Sequence, residues 1–196
     1  MKLRTVLLFG APGSGKGTQG KVLGALPGFY HCSCGEVFRS LKLDTPLGRV
    51  FVEYSSRGEL VPDGPTIELW RQFIGNCRQG GHYDPANDIL VLDGIPRNLA
   101  QAELLRDTLD VRAVVYLTCP HPEKLVQRLQ RRALKENRLD DANLETIRRR
   151  LETYDQESRP VLDFYGRELL HEVDATQTPL DVLEDVVAVI RRITAG

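Results

Sequence analysis

The stretch that decides the fold is Thr5-Val6-Leu7-Leu8-Phe9-Gly10-Ala11-Pro12-Gly13-Ser14-Gly15-Lys16-Gly17-Thr18. Its first five residues form a continuous apolar run, which is typical of a strand buried on both faces of a sheet. The glycine-rich turn lets backbone N–H groups converge on phosphate oxygens, and the following helix adds its positive N-terminal end. Lys16 supplies a positive charge for the β- and γ-phosphates. The segment therefore predicts a nucleoside triphosphate site built from residues 10–18.

The loop departs from the common phosphate-loop pattern at one position. That pattern has serine or threonine directly after the lysine, where this chain has Gly17. The hydroxyl comes one residue later, at Thr18, where it can reach Mg²⁺. The alternative, a glycine-rich turn that binds no ligand, is disfavoured because four glycines and a lysine stand between a predicted strand and a predicted helix.

Short apolar runs and helical patterns alternate along the rest of the chain. The runs predict further strands at 89–92, 113–117 and 169–173, and the patterns predict helices at 98–109, 121–135, 143–157 and 179–193. Strands that alternate with helices imply parallel pairing and right-handed crossovers. We therefore predict an α/β protein, a three-layer α/β/α P-loop fold with a parallel sheet of about five strands.

Two regions interrupt this alternation. Residues 35–80 have helical patterns but no strong strand, and we interpret 33–65 as a helical insert. Residues 132–143 include a short polar connection between two helices, and we interpret them as a lid. The core of a single domain (1–196) then comprises 1–32, 66–131 and 144–196.

The composition indicates no macromolecular partner. The formal net charge is −1, with 41% hydrophobic and 27% charged residues, which is ordinary for a soluble globular protein. No apolar stretch approaches the roughly 20 residues that span a bilayer, and the N-terminus lacks a signal-peptide core. We therefore expect a cytoplasmic protein with no nucleic-acid or membrane partner.

The four cysteines do not suggest a metal site. Cys32, Cys34, Cys77 and Cys119 make no C-x-x-C pair and have no histidine at zinc-finger spacing. Because a cytosolic chain usually keeps such thiols reduced, we interpret them as small buried hydrophobic side chains and expect no zinc.

Five motifs, in the same order along nearly the whole chain, resemble those of the adenylate kinase family. They are Gly15-Lys16-Gly17-Thr18-Gln19, Gly58-Glu59-Leu60-Val61-Pro62-Asp63, Asp93-Gly94-Ile95-Pro96-Arg97 with Gln101, Arg138-Leu139-Asp140-Asp141, and Glu145-Thr146-Ile147-Arg148-Arg149-Arg150-Leu151. The resemblance implies reversible phosphoryl transfer from Mg·ATP to AMP, which gives two ADP. It also implies that 33–65 binds the monophosphate and that the short, cysteine-free lid carries no structural zinc.

The resemblance implies a role for each matching residue. The catalytic residues would be Lys16, Arg128, Arg132, Arg138 and Arg150. ATP would contact Gly10, Ala11, Pro12, Gly13, Ser14, Gly15, Lys16, Gly17, Thr18, Arg128, Arg132 and Gln177. AMP would contact Cys34, Gly35, Arg39, Glu59, Leu60, Val61, Gly94, Arg97, Gln101, Arg138 and Arg150. Thr18 and Asp93 would hold Mg²⁺, the latter through water.

The arginine-rich segment between Arg128 and Arg150 suits this chemistry. Phosphoryl transfer needs two phosphates held in line and their charge neutralised. A general base is unnecessary because the acceptor is a phosphate oxygen that is already ionised at neutral pH. Planar guanidinium groups match phosphate oxygens and stay charged throughout. We expect a monomer, since both nucleotide sites are built within one chain.

The identity of the acceptor rests on few residues. Gln101 favours AMP because an amide suits adenine's adjacent donor and acceptor. Three residues depart from the adenylate kinase pattern, namely Cys34, Glu36 and Ile95. Asn98 is also seen in the related UMP/CMP kinases, which remain the alternative of the same fold.

Two other classes of protein share the phosphate loop. A GTPase is disfavoured because its guanine-reading pattern is mimicked only by 137–140, which follow a helix and not a strand. A silent ATP- and AMP-sensing module should have lost Lys16 or the arginines, and the chain retains them all.

Overall fold

The computed structural model describes residues 2–42, 44–136, 141 and 143–194. Its strands are β1 (Leu3–Phe9), β2 (Phe29–Ser33), β3 (Ile89–Asp93), β4 (Leu109–Thr118) and β5 (Leu170–Asp174). They form one sheet in the order β2-β3-β1-β4-β5, and every neighbouring pair is parallel. The predicted α/β fold with a five-stranded parallel sheet is confirmed.

Helices cover both faces of this sheet. Those in the described part of the chain are α1 (Lys16–Leu23), α2 (Cys34–Arg39), α3 (Pro46–Ser56), α4 (Asp63–Gln79), α5 (Leu99–Leu105), α6 (Pro122–Glu136), α7 (Leu144–Thr153), α8 (Val161–Tyr165) and α9 (Pro179–Thr194). A π-helical segment, Tyr154–Ser158, continues α7. None of the helices described is long and apolar enough for a membrane crossing.

The central strand β1 is buried on both faces because its side chains alternate between two core layers. Leu7 belongs to the layer that also contains Trp70 of α4 and Leu105 of α5. Val6 belongs to the opposite layer, together with Val186 of α9. Complete burial of such side chains contributes about 1.5–3 kcal/mol each, so the apolar run that marks β1 in the sequence also fixes it in the middle of the sheet.

Several elements differ from the sequence prediction, among them α8 (Val161–Tyr165), which no predicted helix covered. The strand β2 was not among the predicted runs, because Phe29–Ser33 contains histidine and serine and pairs only with β3 at the sheet edge. The helix predicted at 98–109 ends at Leu105, since Leu109 already pairs with Leu3 in the sheet. Edge position and long-range pairing thus outweighed the local pattern.

The region between β2 and β3 is helical, as predicted. Phe38 of α2 stacks on Phe51 of α3 with ring centroids 5.2 Å apart. Helix α4 begins at Asp63 and reaches the core at Trp70, so the boundary predicted at 65/66 falls inside one helix.

The turn after α3 rests against α7. Thr146 Oγ1 donates a hydrogen bond to the Ser56 carbonyl over 3.2 Å, and Thr153 Oγ1 donates one to the Gly58 carbonyl over 3.2 Å. Gly58 is buried in this contact. The two hydroxyl groups therefore join the end of the predicted insert to α7.

The cysteines are all free thiols. Cys32, Cys34 and Cys77 are buried, as the sequence predicted, whereas Cys119 is only half-buried. Cys119 directly follows β4, where the chain leaves the core for the surface, so the prediction that it is buried was wrong.

Candidate active site

A cavity of about 760 Å³ opens at the carboxyl ends of β1 and β3. In open parallel sheets this edge is where ligands bind, and the volume is in the range of ligand sites. Its wall contains every predicted site residue that the structure describes except Ala11. Arg138 lies outside the described residues. The predicted site residues that the structure describes, which span much of the chain, are thus brought together around one space.

The phosphate loop is held by close backbone contacts. Gly10 has φ +143°, and a Cβ there would lie 2.6 Å from the Leu117 carbonyl oxygen of β4, so only glycine fits. Lys16 Nζ donates to the carbonyls of Gly10 over 2.7 Å and Ala11 over 3.1 Å. Ala11 therefore contributes by holding the lysine, although its own surface is not part of the cavity wall.

The electrostatic environment of Lys16 favours an anion. Burial lowers the pKa of Lys16 to about 8, and only Asp93 opposes this shift. The neighbouring guanidinium groups lower the pKa further; they belong to Arg97, Arg132 and Arg150. Because several cations influence the same ammonium group, a bound phosphate would relieve their mutual repulsion.

Asp93 and Thr18 meet the requirements of a magnesium site. Asp93 ends β3, is 8% exposed, and its carboxylate has no hydrogen bond to any residue that the structure describes. A Cβ on Gly17 would lie 3.6 Å from Asp93 Oδ2, an ordinary van der Waals distance, so the start of α1 lies close to this carboxylate. Thr18 is exposed in the first turn of α1. Carboxylate, hydroxyl and water oxygens are the ligands that Mg²⁺ prefers, and these residues fit it.

Two of the predicted arginines are tied to one carboxylate. Arg132 of α6 donates to Asp141 Oδ2 through Nε over 2.8 Å and through Nη2 over 2.6 Å. Arg150 of α7 donates to Asp141 Oδ1 through Nη1. Asp141 is only 2% exposed. Asp141 was part of a sequence motif but had no predicted role, because nothing in the sequence says which arginines it meets.

The remaining donor-side residues line the turn after β5. Arg128 of α6 donates to the Ala175 carbonyl over 2.8 Å. Gln177 Nε2 donates to the Asp174 carbonyl over 3.1 Å and to Asp185 over 2.8 Å. Gln19 of α1 donates to the Pro179 carbonyl over 3.1 Å. Gln19 was quoted as part of a motif without a role, and it fixes this turn to the phosphate-loop helix.

The opposite end of the cavity contains the predicted acceptor residues. Arg97 Nε donates to the Gly94 carbonyl over 2.8 Å. The Arg39 guanidinium lies 3.1 Å from the position that a Cβ on Gly35 would take. Burial raises the pKa of the Cys34 thiol to about 11, with Arg97 acting against the rise. Cys34 is therefore a neutral thiol at physiological pH.

Glu59 is placed in the cavity wall, but its carboxylate is already paired. It accepts a hydrogen bond from Arg57 over 3.0 Å and from Arg149 of α7 over 3.1 Å. A carboxylate would also repel the phosphate of a nucleotide. Leu60 and Val61, which follow it, provide the apolar part of this wall.

Gln101, the predicted base-reading residue, is held by protein groups. Its Oε1 accepts from the Arg97 backbone N–H over 2.8 Å, and its Nε2 donates to Asp63 Oδ1 over 2.8 Å. Asn98 precedes α5 and caps it by accepting from the Gln101 N–H over 2.8 Å. Gln101 is 1% exposed, so a nucleobase can reach its amide only if neighbouring side chains move. Asp63 was part of a sequence motif and Asn98 was considered for the choice of acceptor, but neither had a predicted role in the site.

These features define a class of protein. The phosphate loop follows the central strand of a parallel sheet, and two arginines joined by one carboxylate line the same cavity as its lysine. This α/β fold is that of the phosphate-loop kinases.

Comparison with known sequences agrees with this class of protein and identifies the family within it. The family model described as adenylate kinase matches residues 8–169. Adenylate kinases are similar to this chain in Porphyromonas gingivalis (39% identity, 88% of each chain) and in Cyanothece sp. (39%, 94% of each). The adenylate kinase of Thermus thermophilus is 37% identical over 95% of this chain and 97% of its own. The chain belongs to the adenylate kinase family.

Proposed function

We propose that this chain transfers a phosphoryl group reversibly from Mg·ATP to AMP and so forms two ADP. The observation that carries the proposal is that Lys16, Arg97, Arg132 and Arg150 line one cavity. Burial lowers the pKa of Lys16 most, and the three guanidinium groups lower it further. Family membership supports the same activity.

The donor side would be organised by the phosphate loop. Backbone N–H groups and the N-terminal end of α1 hold the triphosphate, and Lys16 follows the transferred phosphoryl group with its charge. When bound by Asp93 and Thr18, Mg²⁺ would neutralise phosphate oxygens during transfer. The turn that contains Gln177 would adjoin the adenine of ATP.

The acceptor side would be organised by arginines. Arg39 and Arg97 hold the AMP phosphate, whose ionised oxygen attacks without a general base. Arg132 and Arg150 stabilise the charge that spreads over the transferring group. We also propose that the insert (33–65) and the lid (132–143) close over the two nucleotides, exclude water, and reopen to release products. One chain supplies all of these groups, which supports a monomer.

The test is a comparison of acceptors. ADP formation from Mg·ATP is measured with AMP, CMP, UMP, GMP or no acceptor. We expect AMP to have the highest kcat/KM. Preference for CMP or UMP would keep the mechanism and overturn the acceptor, whereas the absence of transfer to any of them would leave a nucleotide-binding module.

A further inference from the structure

The amide of Gln101 has only one orientation that satisfies both of its partners. The Arg97 backbone N–H can only donate, so the atom that faces it at 2.8 Å is Oε1. Oδ1 of Asp63 also accepts a hydrogen bond from Asn98 Nδ2, so the atom of Gln101 that faces it at 2.8 Å is the donor Nε2. A flipped amide would oppose donor to donor and acceptor to acceptor. Asp63 and Arg97 therefore fix which end of the amide donates.

Asp63 is itself held in place by Asn98. It begins α4, and its Oδ1 also accepts a hydrogen bond from Asn98 Nδ2 over 2.9 Å. The amide of Asn98 cannot flip either, because its oxygen accepts the Gln101 N–H at the start of α5. The carboxylate thus joins α4 to α5 and receives two donors on one oxygen.

The Gln101 amide keeps one N–H and one lone pair that no hydrogen bond among the described residues uses, and Gln101 lies in the cavity wall. Adenine presents an acceptor at N1 beside a donor at its 6-amino group. A 6-oxopurine presents the reverse, a donor at N1 beside an acceptor at O6. Where the phosphate and ribose set the pose of the base, an amide of fixed orientation accepts one of these patterns and rejects the other.

We propose that Asp63 is a positioning residue for base specificity, which holds the Gln101 amide in the orientation that accepts a 6-aminopurine and rejects a 6-oxopurine. The inference rests on the proposed function, since it takes AMP as the acceptor. Asp63 acts through Gln101 and does not itself touch the nucleotide.

The experiment compares AMP with IMP, whose bases differ only at position 6 and in the proton at N1. With Mg·ATP as donor, kcat/KM is measured for both acceptors in the wild type and in Asp63→Ala. A hydrogen bond to a charged group contributes about 1.5–3 kcal/mol, so we expect the AMP-to-IMP ratio to fall roughly tenfold to a hundredfold. Glu68→Ala is the matched control, because Glu68 is an exposed acid on the same helix that bonds only Gln72 among the described residues, and it should leave the ratio unchanged.

The ratio separates positioning from mere stability. A variant that only loosens α4 would impair AMP and IMP alike, so an unchanged ratio in Asp63→Ala overturns the inference. Asp63→Asn keeps an acceptor oxygen in place, and we expect a ratio between those of the wild type and Asp63→Ala. If Asp63→Ala does not fold, as judged by circular dichroism, the ratio of Asp63→Asn decides: a fall supports the inference and the wild-type value overturns it.

The same measurements distinguish failure of the proposed function from failure of the inference about Asp63. Wild-type protein that transfers no phosphoryl group to AMP would overturn that function and the inference with it. Transfer to AMP with the same ratio in wild type and variants would overturn the inference alone.

Discussion

The phosphate loop and the arginines of α6 and α7 both bring positive charge to one cavity, but they hold it by different means. Lys16 is held by backbone carbonyls of a loop whose path is fixed by contacts as close as that between Gly10 and Leu117. Arg132 and Arg150 are held by the side chain of Asp141. A backbone site is present before any ligand arrives, whereas guanidinium groups can exchange one anionic partner for another. The first region is therefore a fixed cradle and the second an exchangeable clamp.

The largest effect should follow removal of the charge from the fixed region. We expect Lys16→Met to fold normally and to lose on the order of a thousandfold in kcat, because among the described residues the loop backbone holds only this cation. Initial-rate kinetics and a thermal melt measure the two quantities. Turnover close to that of the wild type would refute the role of Lys16.

The second largest effect should come from the clamp. Arg150→Ala should lower kcat by on the order of a hundredfold, since a charged donor to the transferring group is lost. Arg149→Ala is the matched control: Arg149 is the adjacent residue, its side chain is 58% exposed, and it pairs with Glu59. Exposed pairs contribute about 0–1 kcal/mol, so this control should change kcat less than about threefold. Equal losses in both variants would remove the special role of Arg150.

A smaller effect is expected when Asp141, which holds the two arginines, is changed and the arginines themselves remain. Asp141→Asn should lower kcat about tenfold, because both guanidinium groups remain but lose their fixed position. It should also lower the free energy of unfolding by about 1–3 kcal/mol, less than for a fully buried pair because Arg132 and Arg150 are partly exposed. Steady-state kinetics and urea unfolding test this. Wild-type kcat in the variant would show that the clamp needs no carboxylate.

The smallest effect distinguishes the two regions by titration. Since burial lowers the pKa of Lys16 to about 8, its charge is present below that pH and is lost as the pH rises through it. Arginine stays charged over this range. The kcat/KM for Mg·ATP, which reports the free enzyme, should therefore fall about twofold by pH 8.

Lys16→Arg is the control for this profile, because a guanidinium keeps its charge. The descending limb should vanish in that variant at whatever activity remains. A limb that persists in Lys16→Arg would assign the titration to another group.

The fold could be predicted from the sequence where the pattern is local. The run that became β1 is buried on both faces and the glycines that follow it admit one kind of turn, so strand, loop and helix were all predicted. The edge strand β2 could not be found in this way, because half-buried residues such as His31 carry little periodic signal. The end of α5 also depended on a distant partner, the pairing of Leu109 with Leu3.

In the candidate site, too, local features could be predicted from the sequence and long-range contacts could not. Residues within a motif, such as Lys16 and Arg97, could be assigned to the cavity from the sequence. Contacts between motifs could not, since the separation of Asp63 from Gln101 is 38 residues and their hydrogen bond depends on how α4 packs beside α5. The partners of Asp141 were equally out of reach, because charge alone does not say which arginines meet it.

The buried turn at Gly58 has a consequence in evolutionary terms. Alanine is a single-base change from glycine and is usually the mildest replacement available. Here φ is +74°, and the added Cβ would lie 2.9 Å from the Thr146 carbonyl oxygen of α7. Even this smallest mutational step would push the turn away from the helix that carries Arg150. Even alanine is therefore disfavoured at position 58, because the turn leaves no room for a side chain there.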